Sequence, residues 1–168
     1  MNIEQVLFGA FAFLTLLSAA LVIFAKSPVS SAMALVSTFF FLAGLYVLLW
    51  AHTVAVLQVL VYAGAIMVLF LFVIMLLNLG EEAPGPRMTL GRIAGGAAAA
   101  GLLVVLVLAL KKVPNQVASM TGETAQSFGT LKLIGAEIYT KWLLPFEAVS
   151  LLLLVAMVGA VVVAKSRI

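Results

Sequence analysis

The sequence predicts an all-α integral membrane protein of five transmembrane helices, forming a single membrane domain over residues 1–168. Two observations carry this prediction. Of 168 residues, 65% are apolar and only 9% are charged, and the mean hydropathy is +1.31. A soluble domain is nearer half apolar and a quarter charged. The apolar residues also fall into five long runs, each close to the ~20 residues that a helix needs to cross a hydrocarbon core of roughly 30 Å. Membrane strands would show short alternating segments, whereas these runs are apolar on all sides.

The first run covers about 6–25. Its leading residues carry Glu4 and no Lys or Arg, so it lacks the basic start of a signal peptide and reads as a retained helix. Lys26-Ser27-Pro28 is a tight turn into the second run, about 29–50. Ala51-His52-Thr53 leaves almost no room before the third, about 53–79, so the second and third form an antiparallel hairpin. Asn78 is expected to cap the far end of the third helix. Residues 80–87, with Gly80, Pro84, Gly85 and Pro86, are loop-forming. The fourth run is about 93–110 and the fifth about 142–164. Between them, 111–141 is the one sizeable extramembrane loop, and its part from Leu131 to Tyr139 has the pattern of a short amphipathic helix at the interface.

An odd number of spans puts the two ends on opposite sides. With the N-terminus outside and the C-terminus inside, Lys26, Arg87, Arg92, Lys165 and Arg167 lie inside, and Lys111, Lys112, Lys132 and Lys141 outside. The positive-inside rule favours that orientation by a narrow margin, and it places Trp50, Tyr139 and Trp142 together at the outer interface.

Composition excludes several functions. With no Cys there is no disulfide, iron–sulfur cluster or thiolate zinc site, and one His rules out a His-rich metal site. The net charge of +3 comes from basic residues scattered singly or in pairs, which is no nucleic-acid surface. No Lys, Arg or Asp lies inside a span, and Glu147 is the only carboxylate within one. Pumps and transporters keep ionisable groups at membrane depth, so a stand-alone transporter or a complete proton channel is disfavoured. The chain reads as a helix-packing subunit of something larger. Gly91, Gly95 and Ala99 in the fourth helix, and Ala156, Ala160 and Ala164 in the fifth, form rows along which backbones pack closely, within the chain or on a partner.

The third run is the informative one. As a regular helix its 27 residues span roughly 40 Å, so it must tilt, kink or protrude. Gln58 and Tyr62, four apart, are expected to share a face. Ala63-Gly64-Ala65 follows, and three small residues give the backbone room for a π-bulge, expected near Tyr62 to Met67. The residues alone allow two readings: Tyr62 as a packed aromatic with Gly64 a close contact, or a helix with two local states beside a polar path. Glu147 likewise fits the first turn of the fifth helix behind Pro145 at its first position, or a contact on a proton path.

The run Val61-Tyr62-Ala63-Gly64-Ala65-Ile66-Met67-Val68-Leu69-Phe70, with Met75-Leu76-Leu77-Asn78-Leu79, resembles the subunit J family of bacterial respiratory complex I, the proton-translocating NADH:quinone oxidoreductase, whose mitochondrial counterpart is NADH dehydrogenase subunit 6. Leu143-Leu144-Pro145-Phe146-Glu147-Ala148 is similar to the start of that family's fifth helix. The resemblance implies a non-catalytic membrane-arm subunit in the bacterial inner membrane, set in the lipid bilayer beside the quinone-cavity subunit and the small antiporter-C-like subunit. NADH, FMN, iron–sulfur clusters and quinone would belong to partner subunits, with no cofactor in this chain. It also implies a third helix that switches between α and π forms and so helps couple quinone chemistry to proton translocation. Candidate switch or proton-path residues are then Gln58, Tyr62, Ala63, Gly64, Ala65, Met67 and Glu147. Relatives often have a carboxylate four residues before the Tyr. Gln58 here can relay hydrogen bonds but cannot carry charge. The equivalent subunit of a membrane-bound hydrogenase or of a multisubunit cation/proton antiporter is the alternative.

Overall fold

The computed structural model describes residues 3–77, 89–112 and 128–165; the Asn78 cap and the 80–87 loop lie outside these. Among the described residues there is helix and no strand. Five helices among the described residues are long and apolar enough to cross a membrane. We number the helices α1 (Ile3–Phe24), α2 (Pro28–Leu48), α3 (His52–Leu77), α4 (Thr89–Lys112), α5 (Leu131–Thr140) and α6 (Leu143–Ala164). All but α5 are the spans.

The α1–α2 turn is fixed locally. Ser27 is the N-cap of α2 and its hydroxyl accepts from the Ser30 N–H at 3.1 Å, with Pro28 at the first helical position, where no N–H is needed. The Ser31 hydroxyl reaches back to donate to the Val22 carbonyl at 2.6 Å, holding the start of α2 to the end of α1. Farther along, Gly44 lets the two helices close: a Cβ there would stand 2.5 Å from the Phe11 ring.

α2 is central, packing on α1 along one side and on the whole length of α3 along the other. Its buried residues are Ala32 and Ala43, small side chains at the lines of closest approach. The α2–α3 connection is a sharp reversal. Trp50 takes a left-handed conformation, φ 60°, usually left to Gly or Asn and costing a side-chain-bearing residue roughly 1–2 kcal/mol. The bend returns Ala51 N–H to the Tyr46 carbonyl at 2.9 Å and lays the Trp50 ring edge-on to His52, centroids 5.8 Å apart.

α4 starts at Thr89, four residues before the expected boundary, carrying Arg92 within the helix. α6 packs on α5. No residue of α4 or α6 whose burial is described is buried, so both present apolar surface along their length.

Candidate functional site

The site is built on α3, which changes geometry twice along its length. His52–Leu57 is α-helical, Gln58–Ile66 is π-helical, and Met67–Leu77 is α-helical again. The π stretch begins four residues before Tyr62 and ends just short of Met67, whose N–H returns to the Tyr62 carbonyl five residues back. Three small residues, Ala63, Gly64 and Ala65, sit in its second half. Gly64 leaves space over the turn: a Cβ there would press on the Val59 carbonyl oxygen at 3.3 Å.

Burial along α3 records the change of pitch. The buried positions are Ala55, Gln58, Ala63 and Met67, and the row continues with Leu71 and Ile74, both half-buried. A regular helix repeats a face every three or four residues. Between Gln58 and Ala63 the step is five, the i to i+5 repeat of a π turn.

This corrects the expectation that Gln58 and Tyr62 share a face. Gln58 is 6% exposed, whereas Tyr62 is 48% exposed and lies edge-on to Phe39 of α2 at 5.6 Å. The four-residue rule assumes α geometry, and here the π turn hands the buried position after Gln58 to Ala63. Ala63 and Met67 thus join Gln58 on the face toward α2, Gly64 is half-buried beside them, and Ala65 is exposed. Gln58 and Ser18 of α1 are the buried polar side chains among the described residues. Ser18 was not expected, because a lone Ser in an apolar run gives no signal of burial.

Glu147 is not brought to this site. It lies on α6, which packs on α5 rather than on α3. The α6 helix begins at Leu143, so Pro145 is its third residue and Glu147 its fifth, not its first turn as expected. Pro145 is tolerated there because the first N–H groups of a helix have no partner inside it.

At the His52 end of α3 lies a contact that no local pattern in the sequence signals. Gly129 lies buried against the α2–α3 reversal, and its carbonyl oxygen accepts from both the backbone N–H of Thr53 at 3.1 Å and the Thr53 hydroxyl at 2.7 Å. The next residue, Thr130, is the N-cap of α5. A cavity of about 360 Å³ lies between this reversal and α5, with Phe128, Leu133 and Trp142 among its walls.

Comparison with known proteins decides the family. Residues 18–163 match the model of NADH-ubiquinone/plastoquinone oxidoreductase chain 6. The chain belongs to this family. It is 44% identical over 144 residues to the chloroplastic NAD(P)H-quinone oxidoreductase subunit 6 of Nephroselmis olivacea, covering 86% of this chain and 82% of the relative. It is 37% identical to NAD(P)H-quinone oxidoreductase chain 6 of Synechocystis, covering 98% and 82%. It is 36% identical to F(420)H(2) dehydrogenase subunit J of Methanosarcina mazei, covering 98% and 93%. The chain is thus a membrane-arm subunit of NADH:quinone oxidoreductase, one part of an oxidoreductase complex.

Proposed function

We propose that this subunit has no redox chemistry of its own and contributes to energy coupling through α3, which exchanges between the π form seen here and an α form. The burial step of five residues from Gln58 to Ala63 supports this most directly. Each residue turns an α-helix by about 100°. Taking the π turn out, with the His52 end held, would carry the downstream helix around by about that angle. Tyr62, Ile66, Phe70 and Val73 would then succeed Gln58 on the α2 side. These four are now 48%, 48%, 47% and 42% exposed, a second apolar row ready-formed beside the buried one. One face carries Ala63 and Met67; the other brings the Tyr62 hydroxyl next to Gln58. A phenol and an amide can order a water chain where an alanine cannot, so the exchange makes or breaks a polar path at membrane depth.

In this reading Gln58 and Tyr62 are hydrogen-bond relays, Ala63, Gly64 and Ala65 are the segment that yields, and Met67 is the flexible filler of the face toward α2. The electron donor is NADH, with FMN, iron–sulfur clusters and quinone in partner subunits. Those partners include the quinone-cavity subunit and the small antiporter-C-like subunit, and the exposed surfaces of α4 and α6 are suited to them. The complex sits in a bacterial inner membrane with the N-terminus of this chain outside. The shared location of the α2–α3 reversal, α5 and Trp142 around one cavity supports that grouping of the aromatic residues at a single interface.

The test is Gly64→Val in the assembled complex. The added side chain crowds the Val59 carbonyl in the π turn and replaces the residue with the greatest backbone freedom. Proton translocation coupled to quinone reduction should fall severalfold in membrane vesicles while assembly is retained. Normal pumping by a fully assembled variant would remove the switch from α3.

A further inference from the structure

We infer that Thr53 and Gly129 anchor the His52 end of α3, so that any change of pitch in the π stretch is delivered to the Leu77 end; this rests on the switching reading above. α3 starts without a side-chain cap. The first N–H groups of any helix lack partners within it, and a side-chain oxygen at the N-cap normally supplies one. The residue in that position here is Ala51, which has no side-chain acceptor. Gly129, 76 positions away, supplies one instead: its carbonyl takes both the Thr53 N–H at 3.1 Å and the Thr53 hydroxyl at 2.7 Å.

The fit on the Gly129 side is specific. Gly129 has φ +72°, in the left-handed region, and a Cβ there would run into the Trp50 carbonyl oxygen and stand 2.8 Å from the Ala51 Cα. No other residue allows the carbonyl this approach. Trp50 is itself left-handed, so two backbones in uncommon conformations interlock at the start of α3. On its other side Gly129 adjoins Thr130, whose hydroxyl caps α5. The anchor therefore joins the start of α3 to α5 and, through Lys141 and Trp142, to α6.

Its mechanical effect follows from the direction of the chain. A π-to-α change at Gln58–Ile66 must rotate one side of α3 relative to the other. Gripped at Thr53, the short His52–Leu57 segment has no freedom to turn, and the rotation passes to Met67–Leu77. Without the grip, the shorter side would turn in place and the downstream face would stay where it is. Thr53 is thus a positioning residue: it touches no reacting group but determines which end of α3 moves.

The experiment uses the assembled complex in membrane vesicles and compares protons translocated per NADH oxidised. Thr53→Val keeps the shape of the side chain and removes the hydroxyl donor; Thr53→Ser keeps the donor. We expect Thr53→Val to lower the proton yield by up to about fivefold, the effect of one net hydrogen bond on an equilibrium, with NADH oxidation retained, and Thr53→Ser to restore it. In a second arm, Val54→Cys with Phe128→Cys is bridged by a short bis-maleimide, which adds one thiol at each end, across the shared cavity; the chain has no other cysteine to react. A static anchor predicts normal pumping with the bridge closed. Loss of pumping on bridging would show that this end must move and would overturn the proposal, as would a normal proton yield in Thr53→Val. Gly64→Val is run beside them. Reduced pumping there with a normal Thr53→Val removes the anchor alone; normal pumping there removes the switch and leaves Thr53 nothing to anchor.

Discussion

α3 and α6 are both apolar helices long enough to span a bilayer, 26 and 22 residues respectively, yet the protein treats them differently. α3 has a buried row, a buried polar side chain and a change of pitch, and its start is held by a distant carbonyl. α6 is α-helical throughout, has no buried residue, and among the described helices packs chiefly on α5. Apolar content therefore identifies a span but does not say what covers it. Polar side chains at depth do: Gln58 requires a protein neighbour, because lipid offers it no hydrogen bond, whereas the Leu and Val side chains of α6 are satisfied by lipid or by another subunit.

The sharpest way to break this contrast is to put the same substitution on both helices. Ala63→Leu adds bulk at the buried position that the π turn creates, 8% exposed. Overpacking of that kind costs about 1–3 kcal/mol, so coupled proton pumping should drop by about tenfold, and the subunit should melt earlier in detergent. Ala160→Leu on α6 meets open space in this chain. It should leave the thermal stability of the subunit unchanged, and reduced recovery of the assembled complex on a native gel would then mean that a partner helix lies along that row.

Gln58→Leu is the intermediate case. It removes the buried amide while keeping the volume similar, and loss of a relay worth about 1 kcal/mol should reduce proton yield by about fivefold with quinone reduction retained. An unchanged yield would make Gln58 a packing residue and bring α3 closer to α6. The smallest effect is expected from Glu147→Gln. The carboxylate is exposed, on a helix that packs on α5 rather than α3, and the variant should assemble and pump within error of the parent. A large loss of pumping with normal assembly would give α6 a proton path of its own.

Much of this architecture is legible in the sequence because it depends on local length and apolarity. The number of spans, the tight hairpin at Ala51 and the amphipathic α5 all follow from runs and breaks of a few residues. The small triplet Ala63-Gly64-Ala65 likewise points to the place where the ladder is free to change. What the sequence hides depends on geometry that the pattern presupposes. Pairing Gln58 with Tyr62 takes a repeat of 3.6 residues for granted, and the helix departs from that repeat between those two residues. The start of α4 at Thr89 was hidden because it precedes the apolar run, and a helix extends past the hydrocarbon edge without changing its backbone. Thr53 and Gly129 lay beyond local reasoning altogether: neither stands out among its neighbours, and only the folded chain brings them together.

The separation of Thr53 from Gly129 along the chain has a consequence for biosynthesis. The ribosome completes α1, α2 and α3 long before it reaches residue 129, 76 positions after Thr53. Until then the beginning of α3 has neither a local side-chain cap nor its distant one. The helix that changes pitch is therefore also the one whose start is finished late, after α4 has been made. A chain halted between α4 and α5 would carry an unfinished α3, with the N–H and hydroxyl of Thr53 still without the Gly129 carbonyl.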